Sequence, residues 1–325
     1  MIRAALLSFW HVHARDYARQ ASEHPDVELA AAWDEDPERG RAESDKFGLA
    51  FCPDLHAVLA RDDIDTVIVT TPTSMHRDVL VAAARAGKHI FTEKVLAPTV
   101  SECDEILAAV ADADVVLTVS LPRLYDGYTR AIRQLIDDRR LGELTLVRVR
   151  LSHGGALGQA WLPARFFDPA ETAGGALIDL GCHPMYLTRL FLGGLPATVS
   201  ASYGHLTGRA VEDNAVAVLT YPNGALGVVE AGFVNRCSPF TIEVHGTDGS
   251  LLYGTPEPRL LFRDQASDAW AELPTAPPSP SPFAQFVRHI QEDTRATENV
   301  GISVDLTRLM VAANRSAATR GAIEP

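Results

Sequence analysis

Residues 66–92 read TVIVTTPTSMHRDVLVAAARAGKHIFT, and this stretch predicts a strand, a helix and a second strand. The apolar run at 66–71 is short and rich in β-branched residues, which is typical of a buried strand. Residues 74–86 have the length and apolar spacing of a helix, and a second short apolar run follows at 89–92. Strands that are joined through a helix run parallel to each other, so the stretch predicts a β-α-β unit.

The same alternation extends over the first 120 residues. Strands are predicted at 2–7, 27–33, 66–71, 89–92 and 115–119, and helices at 14–23, 37–46, 55–61, 74–86 and 100–111. Continuous apolar strands separated by helices predict a parallel sheet covered on both faces, which is a doubly wound α/β architecture. Such sheets bind ligands at the carboxyl ends of their strands, so we predict a Rossmann dinucleotide-binding domain at 1–121.

The pattern changes after residue 120. We predict a strand at 144–152, an antiparallel sheet over 198–262, and helices at 128–138, 283–294 and 304–319. Within that sheet, the turn Pro222-Asn223-Gly224 between two alternating runs predicts a hairpin. The second domain, 122–325, is therefore expected to be an α/β domain with a large open, mostly antiparallel sheet and C-terminal helices.

The composition is that of a water-soluble globular protein, with 46% hydrophobic and 22% charged residues. The formal net charge of −13 argues against partners such as nucleic acids or anionic membranes, since both need clustered lysine and arginine. No apolar run approaches the roughly 18 residues of a membrane span, and the N-terminal residues do not have the pattern of a signal peptide. The cysteines are scattered without CxxC spacing, so we expect reduced thiols and a cytoplasmic protein.

An acid and an imidazole stand four residues apart in 174–183, GGALIDLGCH. If this segment is helical, Asp179 and His183 lie on one face, where they can share a proton and meet one substrate hydroxyl. The preceding Gly174 and Gly175 let a bound molecule approach the backbone closely. A structural Asp–His pair near the start of a helix is the alternative explanation.

The turn after the first predicted strand lacks the sequence of an ordinary dinucleotide site. Glycines at this turn let backbone N–H groups approach the pyrophosphate of the cofactor. The corresponding residues here are Ser8, Phe9, Trp10, His11, Val12 and His13. Side chains in place of the glycines are expected to hinder a close approach unless the turn is built more loosely. We retain Ser8 through Val12 as cofactor-binding candidates.

Other positions keep the features of a cofactor site. Asp34 ends the second strand, where an acid binds the ribose hydroxyls and repels a 2′-phosphate, so NAD is favoured over NADP. Thr70, Thr71 and Pro72 end the third long strand and are suited to lining a ribose or nicotinamide. His76 follows within one helical turn as a further candidate. A solvated acid and an ordinary strand-to-helix turn are the alternative interpretations.

His11 and His13 form a His-x-His pair, which a metal ion could use together with His183 or an acid. Such a pair on a loop is more often a hydrogen-bonding element. We therefore predict no metal ion.

Several of these motifs follow one another in a definite order. They are Thr71-Pro72-Thr73-Ser74-Met75-His76, Glu93-Lys94-Val95 and Asp179-Leu180-Gly181-Cys182-His183. In this order, and over essentially its full length, the chain resembles the Gfo/Idh/MocA family of oxidoreductases. The resemblance implies a Rossmann domain followed by an α/β domain with an open sheet. Val95 departs from the family's proline, and the turn at 8–13 resembles a branch with Ser-Phe-x-His-x-His.

The resemblance also implies roles for individual residues. Lys94 would be an ammonium beside the nicotinamide and the substrate, with Glu93 next to it at the cofactor. His183 would be the general base in oxidation and the acid in reduction, while Asp179 binds the substrate or orients the imidazole. These roles agree with the physical needs of hydride transfer from a secondary alcohol, which are a base within hydrogen-bond reach and a cation near the oxygen.

We therefore expect an NAD-dependent oxidoreductase that acts on a secondary hydroxyl of a sugar, inositol or related polyol. Arg123 and Arg165 are expected to contact that substrate. Two alternatives remain open. One is an NAD-dependent glycosidase or lyase that recycles its cofactor, and the other is a sugar- or nucleotide-binding protein without catalysis.

The predicted open sheet exposes one face. The residues expected on it are Ala201, Val216, Val218, Leu226 and Val228. Because such apolar faces usually find a partner, a homodimer or homotetramer is expected.

Overall fold

The computed structural model describes residues 1–237, 239–254, 256–267 and 269–325. These residues divide into two compact units, one formed by 1–121 with 280–304 and the other by 122–279 with 305–325. The expected boundaries, 1–121 and 122–325, do not include this return of the chain to the first unit.

The first unit is built from strands that alternate with helices. Its elements up to residue 121 are β1 (Ile2–Leu7), α1 (Ala14–Glu23), β2 (Val27–Trp33), α2 (Pro37–Phe47), β3 (Ala50–Phe51), α3 (Leu55–Leu59), β4 (Thr66–Val69), a 3₁₀ turn (Thr73–Met75), α4 (His76–Arg85), β5 (His89–Thr92), α5 (Val100–Asp112) and β6 (Leu117–Val119). The strands pair in parallel in the order β3-β2-β1-β4-β5-β6. This order confirms the predicted doubly wound Rossmann sheet, whose ligand crevice opens at the carboxyl ends of β1 and β4.

The centre of this unit explains why the apolar runs form strands. Leu6, Ile68 and Phe91 are fully buried in neighbouring strands, as expected for a sheet covered on both faces. Phe283 and Phe286, from the returning segment, pack on Phe91 with ring centroids 5.4 and 5.7 Å away. Burial of each such side chain contributes roughly 1.5–3 kcal/mol, and this contact holds the segment in the first unit.

Asn299 completes the edge of the first sheet. Its side-chain amide accepts a hydrogen bond from the Val119 N–H (2.9 Å) and donates one to the Val119 carbonyl (2.8 Å). Because β6 is the last strand in the sheet order, the amide takes the place of a further strand's backbone.

The second unit contains a large sheet and the helices that pack on it. Its elements are a 3₁₀ turn (Pro122–Leu124), α6 (Gly127–Asp137), β7 (Leu144–Ser152), a 3₁₀ turn (Ala164–Phe167), α7 (Pro169–Thr172), a π-helical turn (Leu177–Gly181), α8 (Cys182–Leu192), β8 (Thr198–Gly204), β9 (Asn214–Thr220), β10 (Leu226–Gly232), β11 (Phe240–Gly246), β12 (Gly249–Gly254), β13 (Arg259–Asp264) and β14 (Ala271–Leu273). The strand order is β14-β13-β12-β11-β7-β10-β9-β8, in which β7 and β10 run parallel and the other pairs antiparallel. The predicted mostly antiparallel sheet and its β9–β10 hairpin are confirmed.

One face of this sheet is covered by α8, which packs on β7 and β10. The opposite face holds Val216, Val218, Leu226 and Val228, of which Val216 and Leu226 are 42% and 38% exposed. Placing Ala201 on that face was wrong. Ala201 lies directly opposite the buried Ala217 in the β8–β9 register, and a strand alternates its side chains between faces, so Ala201 belongs to the covered side.

Two helices close the chain, α9 (Pro282–Gln291) and α10 (Thr297–Thr319). The second begins at Thr297 rather than at 304. Its first turns include Val300, Gly301 and Ile302, which have low helix propensity and so gave no helical pattern. Among the residues that the structure describes, none of the helices combines the length and apolar character needed to cross a membrane.

Candidate active site

The turn between β1 and α1 folds its large side chains inward. Phe9 and Trp10 are 4% and 3% exposed, and Phe9 stacks on Phe47 with ring centroids 6.3 Å apart. Ser8 has a φ of 80°, a left-handed conformation that is uncommon outside glycine. Val12, by contrast, is exposed on the turn.

Two backbone N–H groups of this turn donate hydrogen bonds to acceptors within the first unit. The Phe9 N–H donates to Oδ2 of Asp34 (2.7 Å), and the Trp10 N–H donates to Oγ of Ser8 (2.9 Å). In a glycine-rich turn such groups point at the pyrophosphate. These two donors are therefore not presented to a ligand here.

Asp34, the expected ribose ligand, is enclosed. Its side chain is fully buried, and its two oxygens accept from Nη2 and Nε of Arg39 at 2.6 and 3.0 Å. The adjacent Glu35 is the more available acid, since its Oε1 accepts from Arg39 while its Oε2 has no hydrogen-bond partner among the described residues. Burial and the charge of Asp34 raise the pKa of Glu35.

The carboxyl end of β4 leaves two buried polar atoms unsatisfied. Oγ1 of Thr71 and Nε2 of His76 have no hydrogen-bond partner in the described part of the chain. His76 donates from Nδ1 to the Val95 carbonyl (2.9 Å), and burial lowers its pKa, so we assign a neutral ring with Nε2 as an acceptor. A polar ligand at this edge would satisfy both atoms, which fits the nucleotide cofactor of a Rossmann unit.

Two other residues predicted at this turn shape the backbone. The Thr70 hydroxyl donates to the Ser8 carbonyl (2.5 Å), and this hydrogen bond joins the segments that directly follow β1 and β4. Pro72 directly precedes the 3₁₀ turn that leads into α4.

Glu93, which follows β5, is the centre of a buried polar cluster. Its Oε1 lies 2.8 Å from Nδ1 of His13 and 3.5 Å from Nδ1 of His11. The Tyr17 hydroxyl donates to the same oxygen at 2.5 Å and lies 2.7 Å from Oγ of Ser120. Burial alone would raise the pKa of Glu93, but the neighbouring histidines hold that pKa well below its ordinary value. The carboxylate is therefore charged at neutral pH.

Lys94 is 5% exposed. Its backbone N–H donates to Oε2 of Glu93 (3.0 Å), and the Lys94–Val95 peptide bond is cis. Of the residues predicted at the cofactor, the structure thus brings His11 to Glu93, the sequence neighbour of Lys94, whereas Asp34 is engaged in its own ion pair.

Asp179 lies in the π-helical turn that runs directly into α8, where His183 is the second residue. A π-helical turn, and not the α-helix considered in the sequence analysis, therefore forms at Asp179. A π-helix is wider than an α-helix, so residues four apart no longer stack directly above one another. His183 is 7% exposed and Asp179 is half-buried. Single π-turns of this kind are frequent at functional sites.

Glu212 holds the start of this turn. Its two carboxylate oxygens accept from the N–H groups of Gly175 and Leu177, each at 2.9 Å. A Cβ on Gly175 would lie 2.1 Å from the Glu212 carbonyl, so only glycine allows this approach. Burial raises the pKa of Glu212.

Tyr186 anchors His183 from the next turn of α8. Its hydroxyl lies 3.0 Å from Nδ1 of His183 and accepts a 3.0 Å hydrogen bond from the Arg123 N–H. Burial raises the pKa of Tyr186 well above its ordinary value, so the hydroxyl stays protonated. The Arg123 guanidinium, predicted at the substrate, lies 4.3 Å over the Phe240 ring and donates to the Tyr128 hydroxyl (3.1 Å).

Two family models match the chain. Residues 10–121 match an oxidoreductase family with an NAD-binding Rossmann fold, and residues 129–252 match the GFO/IDH/MocA C-terminal domain. The chain belongs to the GFO/IDH/MocA family of oxidoreductases. The resemblance seen in the sequence motifs is therefore confirmed.

Named proteins align with most of this GFO/IDH/MocA chain. The scyllo-inositol 2-dehydrogenase (NAD(+)) of Bacillus subtilis is 32% identical over 232 residues, which are 68% of this chain and 65% of that protein. The D-xylose 1-dehydrogenase (NADP(+)) 2 of Haloferax volcanii is 31% identical over 235 residues, 72% of this chain and 69% of that protein. A crystal structure of an oxidoreductase domain protein from Kribbella flavida has a TM-score of 0.84 at 27% identity, and the match covers 100% of this chain and 99% of that one.

Sequence reasoning missed one histidine of this GFO/IDH/MocA protein. His153 follows β7, and its ring stacks on Phe233 at 5.2 Å and meets Trp161 at 4.7 Å. Burial lowers the pKa of His153, while the charge of Asp179 acts in the opposite direction. Its signal was a histidine at the carboxyl end of a strand, directly before two glycines. Arg165 lies in the 3₁₀ turn beyond this strand, with its guanidinium 6.0 Å from the Phe166 ring.

Proposed function

We propose that this GFO/IDH/MocA protein transfers hydride between a nicotinamide cofactor and a secondary hydroxyl of a sugar, inositol or related polyol. The observation that carries the proposal is the buried Lys94 after β5, in a unit whose family model is an NAD-binding Rossmann fold. The substrate class follows the names of the two relatives, an inositol dehydrogenase and a xylose dehydrogenase. Neither relative is named as a glycosidase or lyase, so we retain the dehydrogenase as the single proposal.

Lys94 would act on the substrate oxygen. In an enclosed site, an ammonium stabilises the negative charge that develops on the oxygen while the neighbouring C–H bond breaks. The bond between the Lys94 N–H and Glu93 holds the backbone from which the side chain extends. The chemistry that NAD supplies when bound is hydride acceptance in oxidation and hydride donation in reduction.

His183 would exchange the hydroxyl proton. Because Nδ1 is engaged with the Tyr186 hydroxyl, we assign proton exchange to Nε2. Asp179, on the preceding π-turn, would accept a hydrogen bond from a second substrate hydroxyl. A neutral polyhydroxy ligand suits this pairing because it can donate to the carboxylate and exchange a proton with the imidazole.

We propose NAD rather than NADP, held by Thr71, His76 and Glu35. Oε2 of Glu35 is a buried acceptor without a partner among the described residues, so it is suited to a ribose hydroxyl, and its charge would repel a 2′-phosphate. Glu35 replaces Asp34 in this role because Arg39 occupies both Asp34 oxygens. Calorimetric titration should show tighter binding of NAD than of NADP, and Glu35→Gln should reduce the difference. A wild-type preference for NADP would contradict this choice.

The catalytic assignment is tested by Lys94→Ala and His183→Ala. Both variants should lose turnover in a screen of inositols and aldoses followed by NADH absorbance, while circular dichroism shows an intact fold. The exposed lysine of the same unit provides a matched control, Lys46→Ala, which should keep its activity. Full activity of the Lys94 or His183 variant refutes the assignment.

We also propose a homodimer or homotetramer formed through the exposed face of the second sheet. Its centre is the apolar group Val216, Val218, Leu226 and Val228, and side chains of this kind are usually covered in solution. Light scattering should give a multiple of 35.1 kDa, and Leu226→Asp should shift the protein toward the monomer. A wild-type mass near 35.1 kDa would contradict the proposal.

We also propose that the protein is located in the cytoplasm. All cysteines of the chain lie in the described residues, and none is joined in a disulfide. Reduced thiols are the normal state in that compartment. Fractionation of cells that express the full chain tests this, and recovery outside the cytoplasmic fraction would contradict it.

A further inference from the structure

The glycine-free turn and the end of β5 bring three ligand-type side chains together. One ligand atom from each of His11, His13 and Glu93 lies within 4.8 Å of the ligand atoms of the other two. We propose that His11, His13 and Glu93 bind a divalent transition-metal ion. The sequence predicted no metal because a His-x-His pair on a loop is more often a hydrogen-bonding element. The fold brings Glu93 to this pair from a position 80 residues beyond His13.

The distances between the ligand atoms fit one shared ion. Ligands about 2.1 Å from a metal lie about 3.0–3.4 Å from each other in octahedral or tetrahedral geometry. Oε1 of Glu93 is 2.8 Å from the His13 nitrogen and 3.5 Å from the His11 nitrogen, which brackets that range. Small side-chain rotations would equalise the two distances.

The tautomer of His11 also suits a ligand. The His13 backbone N–H points at Nδ1 of His11 from 3.2 Å, and only an unprotonated nitrogen accepts such a bond. In the structure this lone pair accepts the His13 N–H, so a metal ion bound at Nδ1 of His11 would take the place of that 3.2 Å hydrogen bond.

Burial and charge favour a cation at this place. The side chains of Glu93 and His11 are 1% and 6% exposed, so a negative charge is kept out of water. A buried charge is costly unless it is paired or coordinates a metal. The His13 side chain is 41% exposed and provides the route by which an ion enters.

A second layer orients the carboxylate. The Lys94 N–H holds Oε2 of Glu93, and the Tyr17 hydroxyl donates to Oε1 while it contacts Ser120. Outer partners of this kind fix the ligand direction in metal sites. Two imidazoles and one carboxylate suit zinc, cobalt, manganese or iron(II), whereas magnesium prefers oxygen ligands alone.

The competing account is a hydrogen-bonded cluster that shares protons and holds no ion. Cobalt(II) titration of tag-free wild-type protein distinguishes the two, because a nitrogen- and oxygen-ligated cobalt ion absorbs in the visible region. We expect one ion per chain, competition by zinc, and no competition by magnesium. His11→Gln, His13→Gln and Glu93→Gln should each weaken binding by at least about 100-fold, and Tyr17→Phe by about 10-fold.

His56→Gln is the matched control, because His56 is an exposed histidine of the same unit. It should bind cobalt like the wild type. Circular dichroism without metal verifies each fold, and the partly exposed His13 provides a variant whose folding does not depend on a buried side chain. No binding by the wild type at millimolar cobalt, or equal binding by the wild type and a correctly folded His13→Gln, overturns the proposal.

Discussion

Both carboxylate oxygens of Asp34 are held by the guanidinium of Arg39, at 2.6 and 3.0 Å, inside the first unit. The Asp34 side chain is fully buried, while that of Arg39 is 21% exposed. The acid that a Rossmann pattern assigns to the ribose is therefore part of the internal structure, because it holds Arg39 on one side and the N–H of Phe9 on the other.

Arg39→Ala should lower the free energy of unfolding by about 3 kcal/mol, since it leaves a buried carboxylate without its cation. Urea denaturation at neutral pH measures this. The control is Arg19→Ala, which removes a pair between side chains that are both 60% exposed and should cost less than about 1 kcal/mol. Equal effects of the two variants would show that the Asp34 pair is not a buried one in solution.

Glu43 should make the stability of the protein depend on acid pH. Hydrogen bonds from Arg15, and then from Lys46, lower the pKa of Glu43 from 4.5 to about 2. The folded state therefore binds this proton less tightly than the unfolded state, so the contribution is complete above the unfolded pKa and is lost as pH falls from 4.5 toward about 2.

Urea midpoints measured across this acid range test the Glu43 prediction. Glu43→Gln should lose stability at neutral pH and depend less on pH below it, whereas Glu23→Gln, a change at an exposed position, should behave like the wild type. Parallel pH curves for wild type and Glu43→Gln would contradict the expectation.

Glu212 should make the stability of the protein depend on pH in the direction opposite to that of Glu43. Burial raises its pKa in the folded state, so the folded protein holds the proton more tightly than the unfolded chain. Its contribution to stability is complete below the ordinary glutamate pKa of 4.5 and declines as pH rises through the raised value, by about 1.4 kcal/mol for each unit of difference.

Glu212→Gln removes this pH dependence and also one acceptor for the N–H groups of Gly175 and Leu177. We expect a loss of about 1 kcal/mol at low pH that shrinks as pH rises, together with lower turnover because the π-turn carrying Asp179 is less well held. Thermal unfolding at several pH values provides the measurement, with Glu143→Gln as the exposed control. A loss that grows with pH would mean that burial does not dominate at Glu212.

Tyr186→Phe should lower kcat about 10-fold with little change in KM, since a misplaced proton-transfer group costs rate more than binding. The hydroxyl contacts Nδ1 of His183 and the Arg123 N–H, so its loss removes one hydrogen bond that positions the ring and should shift the pH profile of kcat. Tyr203→Phe is a matched control in the same unit, because its hydroxyl donates to Asn314 away from His183. An unchanged pH profile for Tyr186→Phe would argue against the anchoring role.

Much of the fold could be predicted because it depends on local patterns. The bounds of β1, β2, β5, β7 and α1 match those expected from apolar runs and helical spacing. The prediction failed where the local signal was weak or misleading. The two-residue β3 is too short for a pattern, and the first turns of α10 contain residues of low helix propensity.

By itself, the amino-acid sequence determined the alternation of strands and helices, the family, and the positions of Lys94, Asp179 and His183 along the chain. Only the tertiary structure decided what those and neighbouring groups contact. Asp34 pairs with Arg39, His183 with Tyr186, and Glu93 with Tyr17, a residue 76 positions earlier. Periodicity is set by neighbours within a few residues, whereas these contacts depend on strand order, on a π-turn and on side-chain direction, which no local pattern contains.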